Sequence, residues 1–161
     1  MESSPKLSIQ VRPAFAADIN RILEIERAAP TAAHWQQPDY NSALTATSPS
    51  RMLLVGQFDR QVEGFLVARS LFVTEWEIEN VVVAETARRR GMGMALVSAF
   101  LEQISLNKLP NNDLIVYLEV RESNHTARQL YEKSGFHLDN RRRAYYHLPE
   151  EDALVYRYSF Q

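Results

Sequence analysis

WEIENVVVAETARRRGMGMALVSAF, residues Trp76 to Phe100, is the stretch around which the rest of the chain falls into place. Its first half carries the apolar, β-branched run Asn80-Val81-Val82-Val83, which reads as a buried strand. A short polar connection leads to Arg88-Arg89-Arg90-Gly91-Met92-Gly93-Met94, after which Leu96, Val97, Phe100, Leu101 and Ile104 recur at helical spacing. Strand, basic glycine loop and helix, in that order, expose several backbone N–H groups at the positive end of a helix, an arrangement that binds phosphate. A Cβ at Gly91 or Gly93 would stand between those amides and a ligand. The arginines add forked, permanently charged donors suited to phosphate oxygens. This is not a Walker loop, because no Gly-Lys-Ser/Thr follows. Nor is it the dinucleotide fingerprint, because Leu96 stands where a third glycine is required. A plain glycine-arginine turn is the competing reading of the motif on its own.

Toward the N-terminus, Met52 to Phe58 and Val62 to Phe72 read as a hairpin across Asp59-Arg60-Gln61. Leu7 to Val11 alternates apolar and polar residues, a short half-buried strand ended by Arg12-Pro13. Asp18 opens a helix with Ile19, Ile22 and Leu23 on one face, running to Ala29 before Pro30 stops it. Thr31 to Pro38 is a loop holding His34 and Trp35, and residues 39–47 form a second short helix. Toward the C-terminus, Pro110-Asn111-Asn112 marks a turn, and Leu114 to Val120 is apolar on both faces, the pattern of a central strand. Asn124 caps a helix that points Ala127, Leu130 and Tyr131 inward and stops at Gly135. Phe136 to Leu138 begins a strand that resumes near Arg143-Ala144-Tyr145-Tyr146, and Leu154 to Phe160 is the last strand. With no internal repeat or linker, residues 1–161 are expected to form one domain. Strands and helices mixed in this way give an α/β or α+β sheet with helices on both faces.

A chain of 161 residues is long enough to bury roughly 68–70% of its unfolded surface. The net charge of −2 argues against a general nucleic-acid binder, despite the triplets at 88–90 and 141–143. The second triplet reads first as a solvated charge run. There is no cysteine, which excludes disulfides, thiolate metal sites and a cysteine nucleophile. His34, His125, His137 and His147 are scattered without an HExxH pair, so no metal is expected. MESSPKLSIQVR lacks the apolar core of a signal peptide. No apolar run approaches the roughly 18–20 residues of a membrane span. A cytoplasmic protein is expected, with neither a membrane nor a direct nucleic-acid partner.

An RxxGxG element between strand and helix is carried by the GNAT superfamily of acyl-coenzyme A N-acyltransferases, which this chain closely resembles. Leu118 to Asn124 (LEVRESN), Leu130 to Phe136 (LYEKSGF), Arg142 to Tyr146 and Glu151-Asp152-Ala153 resemble its ribosomal-protein-alanine N-acetyltransferase (RimI-like) branch. The likeness runs from Val11 onward and is strongest over residues 76–160. It implies a GNAT-like α/β (α+β) fold, a mixed, mostly antiparallel sheet with helices on both faces. It implies acetyl-CoA as cosubstrate and a protein N-terminal α-amine (that of a ribosomal protein, for example) as acceptor; a monomer or weak dimer is expected. Arg88, Arg89, Arg90, Gly91, Met92, Gly93 and Met94 would hold the cofactor's pyrophosphate. The backbone of Val81, Val82 and Val83 would pair with pantetheine, and Asn124 would touch the cofactor. Glu119 matches the branch's proton acceptor and Tyr131 its proton donor. The chain departs from the branch at Ala84-Glu85, where Asp-Pro is usual. It departs again at His147-Leu148-Pro149, a link that borders the acceptor site in the family.

Those implied roles agree with elementary acid–base chemistry. An α-amine has a pKa of roughly 7.7–8.0 and lysine about 10.4, so freeing the former at neutral pH costs about 1 kcal/mol and the latter about 4–5 kcal/mol. A carboxylate at a strand end is an adequate base for the α-amine. The leaving thiol has a pKa of about 8.5, and a tyrosine with a pKa of about 10 is still protonated and able to donate. With no cysteine and no GxSxG elbow, direct transfer is simpler than a covalent acyl-enzyme. Each residue also has a plainer reading. Glu119 could pair with Arg121 or Arg128, and Tyr131, at i+4 from Ala127, could be core. Glu77 and Glu79 are rival bases, Glu77 the better one. Trp35, Tyr145 and Tyr146 either wall an acceptor groove or pack. Acetylation of a small amine and non-catalytic binding of acetyl-CoA are the alternative functions.

Overall fold

The structure, a computed structural model, describes residues 8–45 and 50–160. Seven strands form one sheet: β1 (Ile9–Pro13), β2 (Arg51–Phe58), β3 (Gln61–Phe72), β4 (Glu75–Val83), β5 (Ile115–Arg121), β6 (His137–Tyr146) and β7 (Glu151–Ser159). Their order is β1-β2-β3-β4-β5-β7-β6, and every neighbouring pair is antiparallel except β4 and β5. The helices are α1 (Ile19–Arg27), α2 (Gln37–Thr45), α3 (Met92–Ser105) and α4 (His125–Lys133). One face of the sheet buries Ile19, Ile22, Leu23 and Ile25 of α1 and Tyr40 of α2 against Val55, Phe65 and Val67. The other buries Leu96, Val97, Phe100 and Ile104 of α3 and Tyr131 of α4 against Leu66, Val116 and Leu118. Each such side chain contributes about 1.5–3 kcal/mol on leaving water. Among the described residues no helix is long and apolar enough to cross a membrane.

The element boundaries differ from the sequence expectation where turn chemistry was ambiguous. The β2–β3 connection is two residues, Asp59 and Arg60, both at positive φ (47° and 67°), rather than three. Such a turn follows the right-handed twist of its strands. β1 continues through Arg12 and Pro13, the latter opposite Leu54, because a proline without an N–H is tolerated on an edge strand. β6 is continuous across the expected break. Its register slips near Leu138/Asn140 and Arg142/Tyr146, which scrambles the alternation. α1 ends at Arg27, short of Ala29. Leu7 of the first expected strand, and Ala46 and Thr47 of the second expected helix, lie outside the described residues.

Two features set up the site. The first is the seat of α3. Gly56 and Gly64 are cross-strand partners on β2 and β3, and a Cβ on Gly56 would overlap Met92 Sδ, while one on Gly64 would come to 3.0 Å from Met92 Cγ. The paired glycines therefore make a socket for the fully buried Met92, which fixes the N-terminus of α3 over the sheet.

The second is a bulge in β4. Ala68 pairs with Ile78 and Val67 with Asn80, so Glu79 has no partner on β3. One extra residue reverses the alternation of faces beyond it. Trp76 and Ile78 point into the α3 core, yet beyond the bulge it is Val81 and Val83 that do so. Asn80 and Val82 turn to the α1 face. Parallel pairing between β4 and β5 covers only Glu75–Ile78 against Ile115–Leu118. From Glu79 onward the two strands part.

Candidate active site

The parting of β4 and β5 opens a cleft of about 350 Å³. Ile78, Glu79, Asn80 and Val81 form one wall, and Glu119, Val120 and Arg121 the other. Asn124, Ala127 and Tyr131 of α4 close it on one side, the α1–α2 loop from Pro30 to His34 covers it, and Tyr146 completes the rim. On its β5 side, the backbone of Val81, Val82 and Val83 has no strand partner among the described residues. An extended ligand carrying amides can occupy that edge.

The basic loop lies where β4 runs into α3. Gly91 is the N-cap of α3 with φ 86°, a conformation that disfavours any side chain, and a Cβ there would come no closer than 3.7 Å to Ile9 Cδ1. Gly91 is thus required by backbone conformation. Gly93 has a different reason from the one expected: its Cβ would come to 3.0 Å from Leu130 Cδ2, so this glycine lets α4 pack against α3. The amides of Met92, Gly93 and Met94 lie in the first turn, where a helix offers them no internal partner. The Met94 thioether accepts a hydrogen bond from the Ser134 hydroxyl at 3.3 Å. Arg88 Nε donates to the Val83 carbonyl at 3.2 Å, and Arg90 stacks on Phe58 at 4.3 Å. Arg89, exposed and at φ 60°, has no side-chain partner among the described residues.

Glu119 is mostly buried, its side chain 19% exposed, and its one ion pair among the described residues is with Arg142 Nε at 3.2 Å. The expected alternatives, Arg121 and Arg128, are engaged elsewhere, on Glu151 and on the Tyr156 hydroxyl with the Glu122 carbonyl. Arg142 arrives because β7 separates β5 from β6 there, and the residue between Arg121 and Arg142 is the small Ala153. Glu77 is bound by Arg69 at 2.7 Å, at a level where β4 and β5 are still paired, and it does not line the cleft. Glu79 does line it, but is held by Arg51 at 3.0 Å and by Arg69 at 3.5 Å.

Tyr131 points from α4 toward the cleft, and its hydroxyl has no hydrogen-bond partner among the described residues. Burial first, and then neighbouring Tyr146, raise its pKa above the ordinary phenol value. Asn124 lines the cleft while its side-chain oxygen caps α4, accepting from the Ala127 amide at 3.2 Å. Tyr145 and Tyr146 meet edge to face at 5.2 Å, Arg142 over the first ring and Arg121 over the second. The Tyr145 pKa is raised first by the charge of Glu119, then by burial, with Glu77 adding to the effect. Trp35 does not wall the cleft. Its ring packs on Tyr40 at 5.4 Å under Arg51, and the small residues before it form the cover instead.

Sequence reasoning passed over a buried polar group behind the cover. Glu26 is 1% exposed, and its Oε1 accepts from the Trp35 amide at 2.9 Å and from Asn80 Nδ2 at 3.1 Å. Asn80 Nδ2 also donates to the Tyr40 hydroxyl at 3.3 Å. The available signal was a glutamate at i+7 from Ile19, on the apolar face of α1, and an asparagine heading an apolar strand. Among the described residues no three His, Asp or Glu side chains are grouped to hold a metal ion.

Residues 19–136 match the acetyltransferase (GNAT) family. The N-alpha-acetyltransferase of Sulfurisphaera tokodaii is 29% identical over 138 residues, covering 79% of this chain and 79% of that protein. The ribosomal protein bS18-alanine N-acetyltransferase of Haemophilus influenzae is 30% identical over 143 residues, covering 87% of this chain and 91% of the other. The crystal structure of Ard1 from Thermoplasma volcanium superposes with a TM-score of 0.82 at 26% identity, covering 96% of this chain and 99% of that one.

Proposed function

This chain belongs to the GNAT family of acetyltransferases, which use acetyl-CoA as cosubstrate, and we propose that it acetylates the N-terminal α-amine of a protein by direct transfer. The observation that carries this reading is the cleft itself. Glu119, Tyr131 and the start of the unpaired β4 edge at Val81 line it together, and the same strand runs on to the basic loop at the N-terminus of α3. The acceptor class is supported by the two relatives, one named for α-amine acetylation and one for the alanine of a ribosomal protein. The whole chain acts as one acetyltransferase domain.

The residues present fit acetyl-CoA. Arg89 and the first-turn amides of α3 would take its pyrophosphate, and the free edge at Val81–Val83 its pantetheine amides. Asn124, at the cleft wall, would touch the cofactor. The cosubstrate supplies an activated thioester, and the protein supplies position and proton traffic. Glu119 accepts the proton of the acceptor ammonium, which at an α-amine costs about 1 kcal/mol at neutral pH. Tyr131 remains protonated and donates toward the departing sulfur. Tyr146 at the rim, with Tyr145 packed on it, would border the acceptor's path, and Glu77 holds Arg69, which also pairs with Glu79 of the cleft wall.

The test is thiol release from acetyl-CoA with a panel of N-terminal peptides and free amines. Release with an Ala-initiated peptide, and none with a polyamine or an aminoglycoside, is expected. Release with small amines alone would overturn the acceptor. Coenzyme A binding without turnover on any acceptor would overturn the enzyme reading.

A further inference from the structure

Asn80 sits on the cleft wall with its amide held in one orientation from behind. Both hydrogens of Nδ2 are used, one on Glu26 Oε1 and one on the Tyr40 hydroxyl. Glu26 Oε1 already accepts the Trp35 amide hydrogen, a donor that cannot reverse. A carboxylate only accepts, so the side of Asn80 that faces it must be nitrogen. Tyr40 is fully buried. Burial first, and then Glu26, push its pKa up, so its hydroxyl stays neutral beside the carboxylate. A flip of the Asn80 amide would set its oxygen against the Glu26 oxygen and forfeit the bond Nδ2 donates there, at about 1–3 kcal/mol.

The orientation of Oδ1 follows. Among the described residues nothing donates to it, and it is not among the polar atoms sealed from solvent without a partner. Asn80 lines the cleft, so this oxygen is a fixed, unpaired acceptor presented there. It lies on the α1 side of the sheet, under the Pro30–His34 cover and away from the α3 loop.

We propose that Asn80 Oδ1 binds an N–H of the acceptor's α-amine, and that Glu26 is the positioning residue that keeps this oxygen turned toward the substrate. The inference rests on the α-amine reading above. An α-ammonium entering the cleft carries three N–H groups. After one proton passes to Glu119, two N–H groups and the lone pair remain, and holding one N–H on Asn80 fixes the direction of that lone pair. Glu26 Oε1 also binds the Trp35 amide, so one buried oxygen ties the acceptor-covering loop to the strand that presents Asn80. Its second oxygen, Glu26 Oε2, is buried without a hydrogen-bond partner among the described residues.

The experiment measures steady-state constants for acetyl-CoA and for an Ala-initiated peptide, with thermal melting to confirm folding. Asn80→Ala removes the oxygen. Asn80→Ser keeps a hydroxyl donor for Glu26 but presents no carbonyl oxygen. Glu26→Leu removes the accepting oxygen that orients the Asn80 amide, and Glu26→Gln restores one. Loss of one hydrogen bond corresponds to about a tenfold rise in peptide KM for both Asn80 variants. The KM for acetyl-CoA should hold, and Glu26→Leu should raise the peptide KM as the Asn80 variants do, with Glu26→Gln recovering part of the loss. A folded Asn80→Ser enzyme with unchanged peptide KM, or one in which both KM values rise together, would overturn the inference. A parent enzyme with no activity on any N-terminal peptide would instead overturn the reading beneath it.

Discussion

Replacing Tyr131 with phenylalanine separates its two readings cleanly. If the residue is core packing, the ring is what matters: it meets Phe136 at 5.8 Å and is buried under α4, and phenylalanine preserves all of that. The hydroxyl has no protein partner among the described residues. Removing it therefore breaks no internal hydrogen bond, and stability should change by less than about 1 kcal/mol in either direction. If the hydroxyl donates to the departing sulfur, its loss should lower kcat by about 10²–10⁴-fold, or about 2.7–5.4 kcal/mol in the barrier. The KM for acetyl-CoA should hardly move, because the phosphate loop and strand edge are untouched. The assay is steady-state thiol release alongside thermal melting. A melting temperature close to the parent's with kcat unchanged would refute the acid role. The raised phenol pKa adds a pH signature. Burial keeps Tyr131 protonated above the ordinary value of about 10, so activity should show no loss from its ionisation up to that pH. The associated stability is complete below the unfolded pKa and declines as pH rises through the folded one. Tyr131→Phe should therefore flatten the alkaline limb of the stability profile.

Other positions test the remaining assignments. Gly91→Ala introduces no contact closer than 3.7 Å, but forces a side chain into the left-handed region at about 1–2 kcal/mol. Calorimetry should show weaker coenzyme A binding, weaker still for Gly91→Val, and an unaltered dissociation constant would remove the loop from the cofactor site. Glu119→Gln should cut kcat/KM on a peptide about a hundredfold or more, with Glu77→Gln far milder, and the opposite ranking would move the base to Glu77. Asp18 accepts two hydrogen bonds from Arg12, at 2.8 and 2.9 Å, and one from the Phe15 amide, and Arg12 foremost lowers its pKa. Its stabilisation is present above the unfolded carboxylate value and lost as pH falls through the folded one. Asp18→Asn should flatten the acid limb of a denaturation series, and an unchanged limb would assign acid lability elsewhere.

The strand–loop–helix at 76–100 was legible because each step is local. β-Branched residues make a strand, the αL glycine is signalled by glycine itself, and α3 has a strong apolar periodicity. That Glu119 and Tyr131 would meet at one cleft was legible through motif spacing and family likeness, which also supply their proposed roles, since composition would have left them an ion pair and a core ring. Long-range contacts were not legible. Arg142 reaches Glu119 across an intervening strand, a pairing that depends on β7 lying between β5 and β6. Trp35 was open to either reading, groove wall or packing, and only the fold shows Tyr40 and Arg51 enclosing its ring. Glu26 and Asn80, 54 positions apart in the chain, meet across two layers.

The bulge at Glu79 accounts for several of these features together. Without it, residues 76, 78, 80 and 82 would share one face of β4. Asn80 would then enter the α3 core, where Leu96, Phe100 and Leu118 offer no hydrogen bond, at a cost of about 1–3 kcal/mol. Val81 and Val83 would lose their packing there. The extra residue gives both sets their proper faces, Asn80 reaching Glu26 and Tyr40 while the valines return to the apolar side. The same extra residue puts β4 out of step with β5, so their pairing stops at Ile78 and Leu118. The cleft is thus a consequence of satisfying Asn80 as much as of making room for a ligand. The unpaired backbone at Val81–Val83 is left by the same slip that turns Asn80 to the α1 side of the cleft.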